Sequence, residues 1–406
     1  MGIKMSKEIK NYKVYKMSLT TLSPVFIGSG EELNKSMYVY NNKEIMIIDE
    51  RKLIKELLSR KGLYESFLNE CSSGDLNLTN FLERHLNGYK NMDIYKYKIN
   101  SYSDIKTGGK LNNINSFIKS SNGKPYIPGS SIKGAIRTTI IANEIYHNKE
   151  KYINFFENKN YPRNFNNKFS KNPIYNLKKL ENNALKNIFY KYNNIFNKNY
   201  KVEVSPNILF KFLYVSDSDE VNLDDLFIGK QHDFSTKANK LNELPIFMEF
   251  IKPKTEFNFT ISIDKSVIDY FDIKNIVQNL KNYALQYIYS IEEINSLFFK
   301  NNKDVEYQEL DNDKFNFIIG GHNGYLTKNI IDSICCELEK ENNTIVGMAN
   351  KEKIINIIKH NLNEKFKKHK HLEDNIISPR TLKLTKYNEI LFNIGICNIK
   401  VEEELC

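Results

Sequence analysis

A length of 406 residues, 41% of them hydrophobic, suggests two or three folded domains. A net charge of +10 and a pI near 9.0 point to a polyanionic partner, although a composition rich in Lys, Asn, Ile and Tyr and without Trp accounts for part of the Lys excess. No apolar run approaches the roughly 20 residues of a membrane span and residues 1–10 hold no apolar signal core, so the expectation is a cytoplasmic protein with no membrane partner.

In chain order, residues 12–23 read as a strand that runs into Pro24-Val25-Phe26-Ile27-Gly28-Ser29-Gly30. Glycines there either bring backbone close to a ligand or make a plain turn. Residues 37–40 and 44–48 form a hairpin, and Asp49 opens a helix to about Leu58. Residues 60–120 read as an insertion of helices and loops, with a short helix over about 75–85.

The most informative stretch is Tyr126-Ile127-Pro128-Gly129-Ser130-Ser131-Ile132-Lys133-Gly134-Ala135-Ile136-Arg137. Pro128-Gly129 marks a turn, and Ser130 and Ser131 are each able to cap a helix. Ile132, Ile136 and Ile140 recur on one apolar face. Lys133 and Arg137 lie one turn apart on another, beside the bare Gly134. A helix start, two hydroxyls, two cations and an uncovered backbone patch suit a phosphodiester chain. A capped amphipathic surface helix with solvated charges is the plain alternative.

Residues 148–200, dominated by Asn, Lys, Tyr and Phe, read as a second insertion. A strand over 209–215 leads into Ser216-Asp217-Ser218-Asp219, a capped turn by preference and a Mg²⁺-binding carboxylate pair only as the minor alternative. Residues 245–251 and 256–263 are strands joined by a turn, and 273–299 form a long helix. The strand 315–319 enters Gly320-Gly321-His322-Asn323-Gly324-Tyr325, then Leu326-Thr327-Lys328. Strand, glycine-rich loop and helix is a phosphate-cradling order, without P-loop or dinucleotide spacing. His322, with Tyr325 and Lys328 nearby, is a candidate general base for metal-independent RNA cleavage. A loop histidine meeting RNA or solvent is the favoured reading, so no catalytic residue is assigned. Residues 351–371 read as a basic amphipathic helix. Cys71, Cys335, Cys336, Cys397 and Cys406 include no C-x-x-C pair, which argues against a zinc knuckle or disulfide framework. No metal or other cofactor is expected.

The 126–139 segment resembles the hallmark helix of RAMP proteins in type III CRISPR effector complexes. The Ile27-Gly28-Ser29-Gly30 loop is similar to an N-terminal loop of one such family, and the strand pair 245–251 and 256–263 looks like the hairpin that RAMP proteins carry in their ferredoxin-like core. The 320–325 loop is similar to the C-terminal glycine-rich loop of RAMP proteins, although His322 and Asn323 depart from its more glycine-rich versions. The segments Ser378-Pro379-Arg380-Thr381-Leu382-Lys383 and Gly395-Ile396-Cys397 are similar to that family's C-terminal signature. Together they most resemble the Csm (type III-A) subunits that cap the backbone at the 3′ end of the CRISPR RNA (crRNA).

The resemblance implies an α+β fold of two ferredoxin-like (RRM-like) RAMP domains. These would be 1–205, with insertions at about 60–120 and 148–200, and 206–406, with the glycine-rich loop. It implies a non-catalytic subunit that holds the 3′ part of the guide and supports its maturation. Gly28, Ser29, Gly30, Ser130, Ser131, Lys133 and Arg137 are the expected RNA contacts in the first half. Gly320, Gly321, His322, Asn323, Gly324, Tyr325, Lys328, Arg380 and Lys383 are those in the second. The implied partners are crRNA, neighbouring Csm backbone and small subunits, target RNA within the complex and a host nuclease. A RAMP-type endoribonuclease that processes precursor crRNA, or another RAMP subunit of a type III complex, are the alternatives.

Overall fold

The computed structural model describes residues 11–74, 76–149, 151–152, 181–186, 210–235, 238–267, 271–311, 314–328, 330, 333, 359, 363, 367–373 and 381–405. The chain begins with β1 (Tyr12–Thr21), β2 (Gly28–Leu33), β3 (Tyr38–Asn41) and β4 (Glu44–Ile48). Three helices follow, α1 (Glu50–Leu58), α2 (Leu63–Ser72) and α3 (Leu78–His85). Then come β5 (Tyr95–Asn100), the two-residue strands β6 (Lys106–Thr107) and β7 (Lys110–Leu111), and β8 (Ile114–Phe117). Helix α4 (Gly129–His147) precedes β9 (Leu213–Val215), β10 (Leu226–Ser235), β11 (Lys240–Ile251) and β12 (Glu256–Asp264). The long α5 (Ile273–Asn301) leads to β13 (Phe317–Ile318), β14 (Thr381–Tyr387), β15 (Ile390–Asn393) and β16 (Ile396–Glu404).

The fold is α+β and is built on two sheets. The first is antiparallel throughout, in the order β13-β16-β1-β12-β9. On β12, Phe257, Phe259, Ile261 and Ile263 alternate inward, as the strand period of two requires. They share one core with Ile132, Ile136, Ile141 and Ile145 of α4 and with Ile276 and Leu280 of α5. Taken in chain order, β1-α4-β9-β12-α5-β16 is the strand-helix-strand-strand-helix-strand connection of a ferredoxin-like unit.

The second sheet runs β15-β14-β10-β11-β8-β2, with β8 parallel to β11. In each sheet, strands from before residue 205 pair with strands from after it: β1 lies between β12 and β16, and β8 between β11 and β2. A third, small sheet, β3-β4-β5, packs on α1–α3 around a separate core that includes Met46, Leu53, Leu57 and Phe81. The buried carboxylate of Glu249 ties this subdomain to the second sheet. It accepts from Tyr97 Oη at 2.6 Å, Phe117 N at 2.7 Å and Ser116 Oγ at 3.0 Å, and it pairs with Lys119. Such a charge is tolerable inside the protein because each oxygen is matched by donors.

Several local expectations need correction. Residues 60–120 are not only helices and loops. Tyr95, Tyr97 and Ile99 alternate with lysines to complete the small sheet, and β8 sits inside the second large sheet. The strands either side of residues 252–255 do not pair with each other. β11 stays in the second sheet and β12 crosses to the first. The turn between them is held by Thr21, whose carbonyl accepts from Lys254 N at 2.6 Å and whose hydroxyl accepts from Thr255 N at 2.9 Å. The strand expected over 209–215 is regular only from Leu213. Most of residues 148–200 and of the basic stretch 351–371 lies outside the described residues. Among the described residues, no helix is long and apolar enough to cross a membrane.

Candidate nucleic-acid groove

Three segments cross at the edge of the first sheet. Gly321 N donates to Phe26 O at 2.7 Å, Ile319 N to Gly395 O at 2.9 Å, and Gly395 N to Pro24 O at 2.9 Å. Two glycines make this crossing possible. A Cβ on Gly320 would lie 2.5 Å from Phe26 O, and one on Gly395 would lie 2.3 Å from Ile319 O. Both also have the positive φ that side chains rarely adopt, +100° and +89°. The missing side chain of Gly320 is therefore needed first for packing backbone on backbone.

Beside the crossing runs a groove of about 370 Å³. One wall is the α4 stripe Ser131, Gly134, Ala135 and Thr138, residues spaced so that they share a helix face. Further lining comes from Gly28, from Ile318 to Gly321, from Asn323 and Thr327, and from Tyr283 of α5. The N-terminal Gly-Ser-Gly segment, the α4 motif and the glycine-rich loop thus meet at one place although they are far apart in the chain. Gly134 leaves real space here, since a Cβ placed on it would meet nothing within 4 Å. Among the described residues that line the groove, none is charged.

The start of α4 is organised differently from the expectation. Its N-cap is Pro128, and no side chain of its own first turn caps it. Asp217 does so across the fold, its Oδ1 accepting from Gly129 N at 2.8 Å. Ser218 adds a hydroxyl that accepts from Ile127 N at 2.8 Å. The Ser216–Asp219 loop is thus the capping turn of a distant helix. Ser130 and Ser131 sit inside the first turn, Ser130 exposed and Ser131 on the groove. The carboxylate of Asp217 already complements the positive end of the helix.

Lys133 and Arg137 lie on a different stripe from the groove wall. Lys133 Nζ is 6.0 Å from the Tyr214 ring, and partial burial lowers its pKa. Arg137 pairs with Glu181 at 2.6 Å and lies 5.9 Å from the Phe210 ring. Lys133 lies beside β9, and neither cation lines the groove. Ser29 and Gly30 belong to the start of edge strand β2, where Ser29 Oγ donates to Ser116 O at 3.3 Å.

His322 adopts a φ of +56° beyond the crossing. Its Nδ1 is 2.8 Å from Oε1 of the buried Gln231, an acceptor, so Nδ1 carries the proton. Gln231 Nε2 donates onward to Asp233 Oδ1 at 2.9 Å, and Asp233 pairs with Lys383. The His322 ring also meets Phe26 edge-on at 5.5 Å. Lys383, expected as an RNA contact, is thus engaged in an ion pair, with its stem beside Gly324. Asn323 is buried and accepts from Thr327 Oγ1 at 2.9 Å, and Tyr325 packs against the core. Lys328 closes the short turn Leu326–Lys328, and Arg380 lies outside the described residues. Among the described residues, no group of three His, Cys, Asp or Glu is placed to hold a metal ion.

Thr138, Thr139, Thr327, Gln231 and Asp233 are additions to the expected set. The i, i+3, i+4, i+7 spacing of Ser131, Gly134, Ala135 and Thr138 was visible in the sequence as a stripe of small residues. The Gln231–Asp233 relay had no sequence signal, because its partners come from three separate segments.

The chain belongs to the RAMP superfamily. The model of that family matches residues 18–327, well over half of the chain. Within the family the chain is Csm5-like. It is 29% identical over 262 residues to the "CRISPR system Cms protein Csm5" of Streptococcus thermophilus, covering 62% of this chain and 64% of that protein. That alignment therefore spans just under two thirds of the relative. A chain from the cryo-EM structure of a Csm-crRNA-target RNA ternary complex of a type III-A CRISPR-Cas system superposes with a TM-score of 0.58 at 18% identity, covering 95% of this chain and all of that one. The crystal structure of T. onnurineus Csm5 superposes with a TM-score of 0.50 at 18% identity, over 78% of this chain and 92% of that one.

Proposed function

We propose that the chain is a non-catalytic subunit of a type III-A Csm complex that binds crRNA, caps the backbone at the 3′ part of the guide and supports its maturation. The observation that carries this reading is the groove. It gathers the N-terminal Gly28 segment, the α4 motif and the glycine-rich loop around a bare stretch of helix. Its partners would be crRNA, the neighbouring Csm backbone and small subunits, target RNA and a maturation nuclease, in the cytoplasm. His322 is read as a loop residue set by Gln231 and Phe26, two neutral groups, rather than as a nuclease base.

The test is binding and integrity of a labelled single-stranded crRNA with the full chain. Wild type should bind and leave the RNA intact, with or without divalent metal. Gly134→Glu places a carboxylate in open space in the groove and should weaken binding by at least about tenfold. Unchanged binding by that variant would remove the groove from the interface. Cleavage abolished by His322→Ala would replace the capping reading with the endoribonuclease one.

A further inference from the structure

The groove and the cations occupy separate stripes of α4, and this separation says what part of a nucleotide the groove takes. A phosphate moved into it would lose water and gain no countercharge, since no charged side chain lines it. The helix start offers little help, because Asp217 already holds Gly129 N at 2.8 Å. Gly321 N is likewise committed, to Phe26 O at 2.7 Å.

Of the five hydroxyls on the groove, those of Ser131, Thr138, Thr139, Tyr283 and Thr327, the three threonines have defined donor bonds. Thr138 Oγ1 donates to Gly134 O at 3.0 Å, Thr139 Oγ1 to Ile136 O at 2.8 Å, and Thr327 Oγ1 to Asn323 Oδ1 at 2.9 Å. Each has directed its one proton into the protein and presents only lone pairs to a ligand. A phosphodiester has no hydrogen to give to a lone pair, whereas a ribose hydroxyl has one. The apolar surface, from Ile27, Ala135, Ile318, Ile319 and the Tyr283 ring, suits the carbon face of a sugar ring.

We infer that the groove binds a ribose through its 2′-hydroxyl, with Thr138 as an acceptor, and so makes the chain selective for RNA over DNA of the same sequence. The 2′-hydroxyl is the group that separates the two polymers at a single site. This inference rests on the nucleic-acid reading of the groove and deepens it.

The experiment compares labelled single-stranded RNA and DNA of one sequence, each titrated with the full chain across a salt series. Wild type should prefer RNA. Thr138→Val is isosteric at a half-buried helix position, and thermal melting checks that it folds. It should lose about 3- to 10-fold in RNA affinity, keep its DNA affinity and keep the salt slope for RNA. Thr138→Ser, which retains the hydroxyl, should retain the RNA preference. Equal losses on RNA and DNA would overturn the inference, as would a salt slope reduced by about one, the mark of a lost phosphate contact. Wild type binding both polymers equally would overturn the inference and leave the nucleic-acid reading standing. Wild type binding neither would overturn both.

Discussion

Gly129 and Gly134 stand on one helix, barely more than a turn apart, and do opposite things. At Gly129 the absent side chain is replaced by another part of the protein. A Cβ there would lie 2.3 Å from Val215 O and 2.5 Å from Ser216 O, while the Asp217 carboxylate caps the amide. At Gly134 nothing fills the space. A glycine closed over by backbone serves the fold. A glycine left open in a helix interior costs about 0.5–1 kcal/mol relative to Ala, and the groove offers a reason to keep it. The comparison separates structural from functional glycines within one motif, which residue type alone does not.

The largest expected effect is at the closed end. Gly129→Ala should destabilise the protein by about 1–3 kcal/mol, because the clash is with backbone rather than with a mobile side chain. Urea denaturation reads this directly, and an unchanged midpoint would break the comparison. Next, Asp217→Ala removes the cap from Gly129 N and should cost about 0.5–2 kcal/mol, with Asp217→Asn recovering most of it. A loss of RNA binding in this variant beyond its loss of stability would mean that the carboxylate does more than cap. The smallest shift in stability is at the open end and has the opposite sign. Gly134→Ala should stabilise the protein by about 0.5–1 kcal/mol while weakening RNA binding. A gain in stability with full binding would show that the patch faces solvent only.

Much of the local structure was legible in the sequence. The isoleucine period of α4, the 3–4 hairpin, the Asp49 cap and the long α5 followed from patterns that a few neighbouring residues impose on themselves. Asp49 caps α1 because Arg51 N and Lys52 N are its immediate neighbours. β5 is legible too, in the alternation of Tyr95, Tyr97 and Ile99 with Lys96 and Lys98. The glycine-rich loop and the α4 motif could also be recognised, and with them the elements of the groove.

What the sequence by itself determined, then, is the set of helices and strands with strong periods and the presence of the motifs. Only the tertiary structure decided which strands pair, that β11 and β12 part into different sheets, and that Asp217, 88 residues away, rather than Ser130 or Ser131, caps α4. It also decided that Lys133 and Arg137 meet Tyr214 and Glu181 and do not line the groove beside their helix. The physical reason is one of range. Periodicity and capping by adjacent residues are short-range preferences. The choice of pairing partner, and of the face that remains open, depends on contacts between segments that only the folded chain brings together.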